Sequence, residues 1–335
     1  MINYREEEND SKQFKKSYLD GLENIILKRQ EESEKKRKAL APDLIERQEF
    51  FREKLKTLLG WPLVGYQSQG EPKVKKTLLV EEREVRIFRM QIEVLDGLEM
   101  TGLYFENKSA EKRPLVLVQH GGQGTPELIS GFYDDTYNYN QMLSRVLSQG
   151  VHVFALQLLL WDEKYDVPFD RVKTDSRLKR VGSSITAIEV FGLQCAIDYF
   201  EKQGNVSSIG MVGLSYGGFY TLFTTAIDTR IKSAISCAFF NTRDKHPWSD
   251  WTWFDFADYF DDAEVASLIY PRKFCIEIAK SDELFICEDG IKSYEKLKSV
   301  FGEKLDEWLT FITFEGSHEF CKDDQPIIDL INDLK

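Results

Sequence analysis

The chain is 335 residues long, and its 42% hydrophobic and 13% aromatic content supplies enough apolar surface for a large core and too much for a disordered chain. A formal net charge of -12 argues against a general nucleic-acid binder, which needs a basic footprint to displace counterions from phosphate, and equally against anchoring to anionic lipid. Five cysteines without a C-x-x-C pair read as reduced thiols, and the absence of a basic leader or a bilayer-length apolar run makes the expected location cytoplasmic, with no membrane partner.

From the start to about Leu59 the sequence is charged and helical. Phe14, Tyr18, Leu22, Ile25 and Ile26 form one apolar stripe; Leu44, Phe51, Leu55 and Leu58 form a second. Pro42 suits the first turn of the second helix, and Gly60 with Pro62 supplies its stop. The basic run Glu34-Lys35-Lys36-Arg37-Lys38 between the stripes reads as a solvated helix face in preference to a contact for an acidic partner. Residues 1–62 are therefore expected to be an N-terminal helical extension ahead of one catalytic domain, 63–335. Its stripes must bury against something, either as a cap on that domain or as an arm that joins copies of the chain into a homo-oligomer.

From Val85 the period changes to two. Phe88, Met90, Ile92 and Val94 alternate with Arg89, Gln91 and Glu93, Asp96-Gly97 signals a hairpin turn, and Leu98 to Phe105 returns, giving an antiparallel edge pair. Six continuous apolar runs follow: 115–118, 151–156, 209–212, 231–239, 274–278 and 309–314. Runs of that kind suit strands covered on both faces, and the helical patterns between them, including 185–199 and 291–300, imply right-handed crossovers. The expected fold class is α/β: a mostly parallel, eight-stranded sheet flanked by helices, with ligands bound at the carboxyl ends of the strands.

The chemistry gathers at those ends. Gly213-Leu214-Ser215-Tyr216-Gly217 matches G-x-S-x-G, in which a serine on a strained strand-to-helix turn projects its hydroxyl from the sheet; alone, the pentapeptide could equally be an incidental junction. A serine hydroxyl needs a base and an oriented acid. Of four histidines, His318 follows the last strand, downstream of the serine, and is the candidate base. His152, at a strand start, suits packing, and His246 lies in a Pro- and Trp-rich loop that could contact substrate. Asp282 follows the penultimate strand and is the candidate acid, with Glu283 in reserve; without its neighbours this would be an ordinary acidic loop. After 115–118, Gln119-His120-Gly121-Gly122-Gln123-Gly124 lacks the G-K-[ST] ending of a phosphate loop and is read as an oxyanion loop braced by His120. Its donors are the N–H groups of Gly122 and Tyr216. The cluster Trp248, Trp251, Trp253, Phe254, Phe256, Tyr259 and Phe260 is either the wall of an acyl pocket or core beneath a cap.

His120-Gly121-Gly122, Gly213-Leu214-Ser215-Tyr216-Gly217-Gly218, Asp282 and Gly316-Ser317-His318 together resemble the α/β-hydrolase superfamily from about Val85 to the C-terminus. Leu58-Leu59-Gly60-Trp61-Pro62 and Ile269-Tyr270-Pro271-Arg272 resemble its acetyl-xylan-esterase and dienelactone-hydrolase-like branch. The chain departs from that pattern at Ala279, where glycine is frequent, and in having serine where true dienelactone hydrolases have cysteine. The resemblance implies a serine esterase or deacetylase acting on a small-molecule ester through an acyl-enzyme, with no metal or organic cofactor. A peptidase or thioesterase on the same machinery, and a silent scaffold that binds a partner through its N-terminal helices, are the competing readings.

Overall fold

The computed structural model describes residues 7–61, 72–133, 135–161, 167 and 169–335. Two helices open the chain, α1 (Glu8–Glu46) and α2 (Gln48–Leu59). Strands β1 (Val74–Glu81), β2 (Val85–Leu95) and β3 (Leu98–Asn107) form an antiparallel meander, with Leu95 paired to Leu98 at the expected hairpin. The rest alternates: β4 (Arg113–Gln119), α3 (Pro126–Ile129), α4 (Met142–Leu147), β5 (His152–Leu156), α5 (Arg171–Lys179), α6 (Ile185–Glu201), β6 (Val206–Leu214), α7 (Tyr216–Ile227), β7 (Ile231–Cys237), α8 (Asp262–Ser267), β8 (Lys273–Ala279), α9 (Cys287–Phe301), β9 (Leu309–Phe314) and α10 (Gln325–Leu334).

Among the described residues the sheet order is β1-β2-β3-β5-β4-β6-β7-β8-β9, parallel from β5 to β9. All eight expected strands are present. The ninth, β1, is an outer strand whose Lys75, Lys76 and Thr77 carry no apolar alternation, and seven of its eight residues are exposed. The hairpin strands are consequently interior, β2 between β1 and β3, and β3 against β5. The chain leaves β4 for β5 on one side and then returns to β6 on the other. The crevice between β4 and β6 is thus the topological switch point, where open α/β sheets bind ligands.

The extension differs from expectation in two respects. Pro42 does not begin a helix: it lies inside α1, and the break comes at Arg47, with φ -123° and ψ 38°. An interior proline costs a helix about 3 kcal/mol, which the burial of Leu44 and the packing of Leu40 and Ile45 against the core offset. Nor is the basic run simply solvated. Arg37 is buried, donating to the Ala257 carbonyl, and Lys36 pairs with Asp258 at 2.6 Å, so these charges dock α1 on the body. Phe51, Leu55 and Leu59 of α2 are fully buried in the main core, and Gly60 caps the helix as expected. Pro62 lies outside the described residues. No described helix is long and apolar enough to cross a membrane.

Candidate active site

Ser215 joins β6 to α7 at φ 61° and ψ -120°, a costly conformation for a residue with a side chain. Two hydrogen bonds hold it there: its N–H donates to the Cys237 carbonyl at 2.9 Å, and its own carbonyl accepts from the Phe219 N–H at 2.9 Å. The flanking glycines have no alternative. A Cβ on Gly213 would stand 2.2 Å from the Gly217 oxygen, and one on Gly217 would stand 2.1 Å from the Gln119 oxygen. The elbow can turn this tightly only because both side chains are absent.

The loop after β4 passes directly against the serine, since a Cβ on Gly121 would lie 3.0 Å from Ser215 Cβ. His120 braces this loop as expected. Its Nε2 accepts from the Leu158 N–H at 3.0 Å, which leaves the proton on Nδ1 to donate to the Gly121 carbonyl at 2.9 Å. Most of the loop's own donors are already engaged. The Gly121 N–H goes to the Tyr139 hydroxyl, that of Gln123 to the Trp161 carbonyl, and that of Gly124 to the Gly121 carbonyl. Among the described residues the Gly122 N–H has no acceptor. The same is true of the Tyr216 N–H, at the first helical position, where no carbonyl lies a turn earlier. The N–H groups of Gly122 and Tyr216 are thus unengaged among the described residues.

At the far side of the site, His318 Nδ1 lies 2.8 Å from Asp282 Oδ2. Asp282 is buried, and its Oδ1 accepts the N–H groups of Leu284 and Phe285 at 2.8 and 3.0 Å; Glu283, the reserve, is exposed. The imidazole packs face to face on Phe285, and its loop is pinned by Asn138, whose amide donates to the His318 carbonyl and whose own carbonyl accepts from the Phe320 N–H. Cys237 ties the two halves together: its carbonyl accepts from Ser215, and its Sγ contacts the Glu319 carbonyl at 3.5 Å. No hydrogen bond joins Ser215 to His318 among the described residues. His152 and His246 are each buried, bonded through Nε2 to a backbone carbonyl, and lowered in pKa by desolvation; His246 stacks on Phe285, and its Nδ1 has no hydrogen-bond partner among the described residues.

Behind Tyr216 stands a buried polar network with no counterpart in the sequence reading. Arg171 pairs with Asp250 at 2.6 Å and Glu189 at 3.0 Å, donates to the Tyr220 hydroxyl and lies over the Tyr216 ring; the Tyr216 hydroxyl donates to Asp250 Oδ2 at 3.1 Å. Burial and then Asp250 push the Tyr216 phenol well above its usual range, so it stays a donor. Burial opposes the Arg171 charge, but the surrounding Glu189, Tyr220 and Asp250 outweigh it and raise its pKa further. The aromatic cluster is mostly core: Trp251, Trp253, Phe256 and Phe260 are buried, whereas Phe254 is 94% exposed. The indole on the site's rim is instead Trp161, edge-on to Tyr216 and 2.8 Å from where a Gly122 Cβ would stand. Among the described residues no group of three His, Cys, Asp or Glu side chains could hold a metal ion.

Solved structures share this arrangement of sheet and helices. The glucuronoyl esterase from Solibacter usitatus superposes with a TM-score of 0.60 at 13% identity, over 84% of this chain and 91% of that one. The acetyl xylan esterase from Paenibacillus sp. R4 does so with a TM-score of 0.58 at 17% identity, over 85% and 94%. The chain has the α/β-hydrolase fold. In sequence it is 28% identical over 262 residues, 71% of its length and 84% of the relative's, to the Bacillus subtilis (strain 168) protein named "Putative hydrolase YtaP". No protein-family model matches the chain.

Proposed function

We propose that this α/β-hydrolase-fold chain is a serine esterase that cleaves a small carboxylic ester, of the acetyl or sugar-borne kind, through an acyl-enzyme. The observation that carries the reading is the His318–Asp282 contact of 2.8 Å on the same sheet rim as a serine at φ 61°. Ser215 Oγ attacks the ester carbonyl while His318 Nε2 takes its proton. Asp282 holds the Nδ1–H and stabilises the imidazolium, with its second oxygen fixed by two backbone donors. The oxyanion is received by the Gly122 and Tyr216 N–H groups, each donor accounting for about a hundred- to a thousandfold in rate. The alcohol leaves with the proton from His318, and water then repeats the sequence on the acyl-enzyme. Contacts between nucleophile and base are commonly long in ligand-free sites and tighten in the substrate complex. Both solved structures compared above are named as esterases, which favours an ester over an amide.

A fluorophosphonate probe is expected to label Ser215, and Ser215→Ala should abolish both labelling and hydrolysis of p-nitrophenyl acetate. Asp282→Asn should lower kcat by about 10⁴, as loss of the orienting carboxylate does in triads, whereas Glu283→Gln should leave it near the parent value. An unlabelled parent protein that is inert to short esters would remove the proposal.

A further inference from the structure

Every residue of α1 from Glu8 to Arg29 is exposed, and the helix first meets the body where Arg29 and Ser33 reach Asp258. The protruding arm is not polar. Phe14, Tyr18 and Ile25 are 70%, 71% and 61% exposed; at helical spacing the exposed Leu22 borders their line, and the exposed Leu19 and Ile26 carry the apolar surface further round the helix. A helix that shows a stripe of this kind to water lacks its partner surface.

The residue pattern identifies that partner. Phe14, Tyr18, Gly21 and Ile25 are spaced by four, three and four residues, the seam of a two-helix coiled coil. Placed antiparallel on a copy of itself across a two-fold axis between residues 19 and 20, the seam sets Phe14 opposite Ile25 and Tyr18 opposite Gly21. Gly21 is otherwise unexplained: it lies in a helix interior, where glycine is unfavourable, and a Cβ there would meet nothing within 4 Å. Opposite a tyrosine, its missing side chain becomes the space that the ring fills. At the flanking positions Glu8 of one arm faces Arg29 of the other and Asp10 faces Glu31, one opposite-charge and one like-charge contact, so the pairing rests on the apolar seam and not on charge. A two-fold contact is self-complementary by construction, so one seam serves both chains. We infer that the arm formed by residues 8–29 of α1 is a dimerisation surface whose occupant is the same arm of a second copy, packed antiparallel with Tyr18 seated on Gly21.

Sedimentation equilibrium of the full chain over a hundredfold concentration range is expected to give twice the 39.0 kDa chain mass. Tyr18→Glu and, separately, Gly21→Phe should return the monomer mass with an unchanged melting temperature, since neither position touches the rest of its own chain. For orientation, Ser11→Cys and Lys28→Cys proteins mixed under mild oxidation should cross-link to each other in preference to themselves. A monomer at every concentration overturns the inference, as does a dimer indifferent to both seam variants or a Ser11→Cys protein that cross-links mainly to itself.

Discussion

Glu277 lies on β8 beside Cys237, directly beneath the strand ends that carry the candidate site. Its carboxyl is 1% exposed, and Oε2 has no hydrogen-bond partner among the described residues. Burial pushes its pKa up to about 7, against a smaller opposing pull from the Cys237 thiol. An unfolded glutamate titrates near ~4.3, so between that pH and about 7 the folded chain holds a proton that the unfolded chain has lost. Stability attributable to Glu277 is therefore complete below the unfolded value, falls as pH rises through this window and is level above it. A shift of this size corresponds to about 3 kcal/mol. Glu277→Gln keeps the shape and removes the titration. Urea unfolding at pH 5 and pH 8 should show the variant gaining on the parent by up to about 3 kcal/mol between the two; a difference independent of pH would show that the group does not titrate in this range. No contribution to catalysis is needed for this effect.

At the scale of elements, Arg171 is the point where four parts of the chain are fastened together: the start of α5, Glu189 of α6, Tyr220 of α7 and Asp250 in the turn 249–251. It also donates to the Leu159 carbonyl, two residues before Trp161 on the site's rim. Removing one member of a buried ion network leaves its partners charged and dry, a loss of about 3–5 kcal/mol. Arg171→Met is expected to lose that much by denaturant unfolding, and because Tyr216 shares Asp250, its remaining folded fraction should also show reduced kcat. Full stability in Arg171→Met would mean that the network is peripheral. Nothing in the sequence singles this arginine out, because its partners lie 18, 49 and 79 residues away and follow no local period. The parallel strands were legible for the opposite reason, each being a continuous apolar run; those of the sheet interior are buried on both faces, whereas β9, at the edge, is mostly half-exposed. The turn at Ser215 and the close approach of the loop after β4 were legible because the backbone there excludes side chains at Gly213, Gly217 and Gly121, which leaves a glycine pattern in the sequence. The choice between Asp282 and Glu283 was not, since two adjacent carboxylates differ only in which one the turn directs inward. Likewise β1 is held by pairing to β2, a contact its exposed lysines do not announce, and α1 runs through Pro42 because packing on either side outweighs a local preference.

The whole molecule divides the extension differently from the boundary after residue 62 that composition suggests. Residues 8–28 are exposed, but from Arg29 onward the extension docks on the body, and its inner face is buried: Leu44, Phe51, Leu55 and Leu59 belong to the same core as Phe219 and Phe223 of α7. Arg52 donates to the carbonyls of Ala226 and Leu268, and Ser184 at the start of α6 donates to that of Leu59. Each fully buried apolar side chain of this size contributes about 1.5–3 kcal/mol, so the four together are comparable with the 5–15 kcal/mol that holds an ordinary domain folded. Their loss would also uncover the face of α7, the helix that begins directly after Ser215. A chain trimmed to residues 29–335 should therefore melt at the parent temperature and match the parent's rate on p-nitrophenyl acetate, while one trimmed to residues 61–335 should be insoluble or unfolded by circular dichroism. A folded, active 61–335 fragment would mean that α2 is an accessory, and the burial of Phe51, Leu55 and Leu59 would then contribute nothing that the α/β core requires.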